Sequence, residues 1–151
     1  MPSKQHRTWI LVADSARARV VKWVGRDEPL ESISGLDLHH LHQRSRDMMS
    51  ERPGRVHESN TTTRHAIERR SDPVRQAEQH FASTVAQALE DRFALGEFDN
   101  LIVVSGPTML GDLRAAFSAK LQAAIRGELG KDLTHLTNAD LKHRLAEAAV
   151  I

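Results

Sequence analysis

The sequence predicts an α/β domain, in the order β-β-β, long loop, α-β-α-(β)-α. Two β-rich runs flank a short polar turn near the start. An amphipathic helix begins cleanly at Asp72-Pro73. A continuous apolar run at 100–105 has the pattern of a strand buried on both faces. The 151 residues are the usual length of one domain, and no repeat or boundary divides 1–151. Hydrophobic residues make up 40% but aromatics only 4%, so the core must rest on Leu, Val, Ile and Ala.

TWILVADSARARVVKWV reads as two strands around a turn. Trp9 to Ala13 is rich in β-formers, Asp14-Ser15 is turn chemistry, and Ala18 to Val24 resumes the extended pattern until Gly25-Arg26-Asp27 ends it. Leu30 to Leu38 is the third strand, with a break expected at Gly35. Residues 39–72 carry no sustained period, and Pro53-Gly54 is a turn signal. A long mobile loop is therefore expected at about 44–72. A stretch of this length inside a compact domain is usually functional or disordered.

Asp72 is suited to cap the first-turn amides of the next helix, and Pro73 fits its first position. Val74, Ala77, Phe81, Val85, Ala88, Leu89 and Phe93 then form one apolar stripe, and Gly96 is the stop. Asn100 to Ser105 is the buried strand, broken by Gly106-Pro107. Leu110, Leu113, Phe117, Leu121, Ala124 and Ile125 predict a second helix, and a short strand is expected within 127–136. Thr137-Asn138-Ala139-Asp140 is a capping signal for a last helix carrying Leu141, Leu145 and Ala148.

Net charge is +1, which argues against a nucleic-acid binder that uses its whole surface. The distribution is more informative. Of sixteen Arg, eight fall in 44–75 with no Lys, against five acids there, a local net charge of +3. Arg presents a planar fork that suits phosphate bidentately and stays charged. Arg52, Arg55, Arg64, His65, Arg69 and Arg70 are therefore the candidate RNA or anion contacts, with Arg17 and Arg19 adding to a basic surface if they share a strand face. A solvated loop without a specific role is the plainer reading of the same composition.

A second, weaker anion site lies at Ser105, Gly106 and Thr108, where a strand end meets a helix N-terminus, although the glycine-rich phosphate fingerprints are absent. Asp14 reads as a turn former. A two-metal nuclease needs several converging carboxylates, and the other strand end, Ser105-Gly106-Pro107, is not acidic. His39, His40 and His42 lack the further ligands a zinc site would need, and His135 is expected to pack against or cap the last helix. No catalytic residue, metal or cofactor is assigned. The absence of Cys excludes disulfides, thiolate zinc sites and a cysteine nucleophile. The run WILVA is too short for a signal-peptide core and no stretch is long enough to span a bilayer, so a cytoplasmic location without membrane insertion is expected.

TWILVADSARARVVKW, MMSERPGR, TRHAIERRSDPVRQAEQHFA and GKDLTHLT together resemble the bacterial host attachment protein family, from Trp9 to about Leu145. That family in turn resembles the middle domain of eukaryotic and archaeal peptide-chain release factors and of the ribosome-rescue protein pelota. The resemblance implies a ribonuclease-H-like three-layer fold, with three antiparallel strands followed by βα units. In release factors the loop before the long helix carries a Gly-Gly-Gln motif. Here the loop at that place has Pro53-Gly54-Arg55 and no Gly-Gly-Gln. The resemblance implies a noncatalytic adaptor for the ribosome or structured RNA. The alternatives are a module whose loop orders on an acidic protein partner, with a homo-oligomer possible, and a weak peptidyl-tRNA hydrolase using Ser105 or His65.

Overall fold

The computed structural model describes residues 6–40 and 72–151. In chain order the elements are β1 (Thr8–Ala13), β2 (Arg17–Trp23), β3 (Glu31–His39), α1 (Pro73–Ala94), β4 (Asn100–Ser105), α2 (Pro107–Ala116), α3 (Ala119–Ala123), β5 (Ile125–Leu129) and α4 (Asn138–Glu147). The five strands form one mixed sheet in the order β3-β2-β1-β4-β5. β1, β2 and β3 pair antiparallel, and β4 and β5 add parallel to β1. This is the α/β arrangement expected from the sequence, with helices on both sheet faces.

The central strands alternate between two cores, as the two-residue period of a strand requires. Trp9, Leu11, Ala13, Leu101 and Val103 face α1 and α2, where they meet Phe81, Val85, Leu89, Met109 and Leu113. Ile10, Val12, Ile102 and Val104 face the other way, against Leu133 and against Leu141 and Leu145 of α4. Both β1 and β4 are therefore apolar at every core position, which explains their unbroken hydrophobic runs. Each fully buried Val or Leu contributes about 1.5–3 kcal/mol.

The caps behave as their residue types dictate. Asp72 accepts from the amides of Val74 and Arg75, and Pro73 opens α1. Gly96, with φ of 74°, takes the left-handed position after that helix. Thr137 accepts from the Asp140 amide at the start of α4.

Four expectations are corrected. The predicted second helix is two: Phe117 is extended with ψ of 141°, and Ser118 starts α3 by capping the Leu121 amide. Ser118 is held there by Glu90 of α1, which accepts from its amide and its hydroxyl at 2.9 Å each. Ile125 leaves the helix to begin β5, so the short strand runs over 125–129, starting two residues ahead of the 127–136 window and overlapping only its start. The break at Gly35 is a bulge: β3 stays in the sheet, and its register against β2 shifts between Arg19 and Val21. Gly35 has φ of 82°, and a Cβ there would lie 3.0 Å from Arg92 Nη2. His135 is exposed and neither packs nor caps; its neighbours Leu133 and Thr134 are the buried ones.

Candidate functional site

The best-defined concavity follows from the sheet topology. β1 and β4 are parallel neighbours, but the chain leaves β1 toward β2 and leaves β4 toward α2 and β5. Connections departing in opposite directions leave a crevice beyond the carboxyl ends of the two strands. Here it is an open cleft of about 180 Å³, lined by Asp14, Ser15, Arg75, Glu78, residues 106–109, Asp112 and Asp132.

Asp14 turns the chain from β1 into β2. Its Oδ1 accepts from the amides of Ala16 and Arg17 at 2.8 and 2.7 Å. Its Oδ2 lies 3.0 Å from Thr134 Oγ1, which also lies 2.6 Å from Asp132 Oδ1. One hydroxyl proton cannot serve both carboxylates, and the shorter contact is to Asp132. Asp132 also accepts from the Thr134 amide at 3.1 Å. The two acids thus hold the 132–134 segment beside the turn. The expectation that Asp14 is a turn former holds, with an added long-range role.

Arg75 closes another side of the cleft. It binds Asp112 of α2 bidentately at 2.7 and 2.5 Å and reaches Glu78 at 3.3 Å. The hydrogen bonds to Asp112 raise the Arg75 pKa above its ordinary value. One of the eight arginines in the basic window is therefore engaged within the fold.

At the start of α2, Gly106 caps without a side-chain hydrogen bond and Pro107 supplies no amide proton. Thr108 lies on the cleft wall. Ser105 is fully buried and donates to the Gly106 carbonyl at 3.2 Å, so its hydroxyl is engaged with its neighbour. An anion here would face Asp14, Glu78 and Asp132 as well as the helix dipole, and their negative charge opposes it.

The two strand arginines separate. Arg17 is exposed, opposite His39 in the sheet register. Arg19 donates from Nη1 to the Thr134 carbonyl at 2.9 Å and from Nη2 to the Leu136 carbonyl at 2.8 Å, with Nε buried and without a partner. Burial lowers its pKa, with Asp37 opposing the shift. Both terminal nitrogens thus fasten the segment before α4. Arg52, Arg55, Arg64, His65, Arg69 and Arg70 lie outside the described residues. The residues that flank their segment are both at the cleft end of the sheet. The His40 amide donates to the Ala16 carbonyl at 2.8 Å, its ring lies 5.7 Å from that of Phe81 of α1, and Asp72 caps α1.

Sequence reasoning did not bring Glu78, Asp112 and Asp132 to Asp14. The only local signal was the Arg75–Glu78 spacing, which suits an ion pair on one helix face. Among the described residues, no group of three or more His, Asp and Glu could hold a metal ion. His39 faces Asp37 at 3.3 Å, His40 follows the end of β3, and His42 lies outside the described residues. Nor is any helix among the described residues long and apolar enough to cross a membrane.

No curated protein matches the chain. Residues 9–145 match the family described as "Protein required for attachment to host cells", which spans both cores, the cleft and the basic segment. The chain belongs to that family.

Proposed function

We propose that the protein is a noncatalytic adaptor that associates with structured RNA, the ribosome first, through its arginine-rich segment. The division of charge carries this reading. Residues 6–40 and 72–151 hold thirteen Lys and Arg against sixteen Asp and Glu, a net −3. Residues 41–71 hold seven Arg against four acids, a net +3. Five of the nine arginines in 6–40 and 72–151 are engaged: Arg7 with Asp99, Arg75 with Asp112, Arg92 with Glu97, Arg114 with Glu128, and Arg19 with two carbonyls. The positive surplus is thus concentrated in one segment, flanked by residues at one end of the sheet.

The resemblance to a release-factor middle domain supports an RNA partner, since the basic segment sits where that domain carries its functional loop. The missing Gly-Gly-Gln motif and the engaged hydroxyl of Ser105 favour an adaptor over a hydrolase. A cytoplasmic protein of this kind would act on host attachment indirectly, through expression of surface components.

The test is cosedimentation with ribosomes in a lysate at low and high salt, with and without ribonuclease. The variant is Arg64→Ala, Arg69→Ala and Arg70→Ala combined. Native protein is expected to sediment at low salt and to be released by salt or ribonuclease. If five arginines each neutralise one phosphate of unpaired RNA, a fourfold rise in salt weakens binding by about a hundredfold. The variant should sediment less at every salt concentration. Native protein left in the supernatant at low salt would sink the reading. A ribonuclease-resistant complex of fixed stoichiometry would replace it with an acidic protein partner.

A further inference from the structure

We draw no further inference here: the strongest candidate, the acid-lined cleft between the β1–β2 turn and the N-terminus of α2, has Asp14 and Asp132 bonded to the protein's own amides and Asp112 to Arg75, and no second feature of it points to a ligand.

Discussion

On one face of the sheet, α1 and α2 bury Phe81, Val85, Leu89 and Leu113 against β1 and β4, joined by the stacked pair Trp9–Phe98 with ring centroids 4.6 Å apart. On the other face, one ten-residue helix and the loop before it cover Ile10, Val12, Ile102 and Val104. Apolar packing by a 22-residue helix holds the first face. The second also needs polar fasteners. Arg19 binds the Thr134 and Leu136 carbonyls, Asp14 approaches the Thr134 hydroxyl, and Asn138 reaches Leu30 and Ser32 at the far end of the sheet. Lys142 also donates to the Glu28 carbonyl. Area-proportional burial supplies the main hold on a long amphipathic helix, and the polar ties of α1, Arg75 to Asp112 and Glu90 to Ser118, link it chiefly to its neighbouring helices. A short helix led in by an irregular loop leaves backbone carbonyls that need donors.

The largest expected effect tests the packing side of this contrast. Leu113→Ala empties a fully buried position between α2 and the sheet and should cost about 3–5 kcal/mol in urea denaturation. Leu145→Ala on α4 should cost less, about 2–3 kcal/mol, because a short terminal helix can settle into the space. Equal losses would mean that the second face packs as rigidly as the first.

Arg19→Met is next. It keeps much of the apolar stem but strips two partly buried carbonyls of their donors, at about 1–3 kcal/mol, toward the lower end because Arg19 is partly exposed. Hydrogen exchange should speed up in 131–147 and stay unchanged in α1. Uniform acceleration would show that the two faces open together. Thr137→Ala removes the cap of α4 and should cost about 1 kcal/mol, read from the same denaturation curves.

Ala149→Gly should act in the opposite direction. Ala149 has φ of 57°, and α4 ends with Ala149 donating to Ala146 and Val150 donating to Leu145, the bonding of a helix stop that favours glycine. Relief of the left-handed alanine should stabilise by about 0.5–1 kcal/mol. A lower melting temperature would refute it.

The smallest effect is pH dependence at the edge strand. Hydrogen bonds from Arg114 to Glu128 lower the Glu128 pKa below its ordinary 4.5, against the opposing effect of burial. A depressed folded pKa means that the stabilisation is fully present above that ordinary value and is lost as pH falls through the lower, folded one. Glu128→Gln should therefore lower stability at neutral pH and flatten its fall on acidification. An unchanged acid limb would show that the pair contributes nothing measurable.

The caps were legible because capping is local: Asp72, Gly96 and Thr137 act within a few residues of themselves. The second helix was misread because Phe117, Leu121 and Ile125 keep a helical spacing that the backbone does not follow. Glu90, 28 residues earlier, holds Ser118 as a fresh cap. The candidate site was less legible than the fold. Asp14 and Arg19 were read as neighbours in a turn and strand, yet their partners Thr134 and Leu136 lie more than a hundred residues away. The family resemblance, by contrast, was carried by contiguous stretches and holds over residues 9–145.

By itself the sequence determined the first four strands, the caps, the apolar faces and the concentration of positive charge in 44–75, because each depends on residues near one another in the chain. Only the tertiary structure decided the strand order, the cleft beyond β1 and β4, the gathering of Glu78, Asp112 and Asp132 near Asp14, and which arginines are engaged. Those features depend on which distant groups the packed sheet brings within hydrogen-bond reach, and no spacing along a single chain encodes that distance.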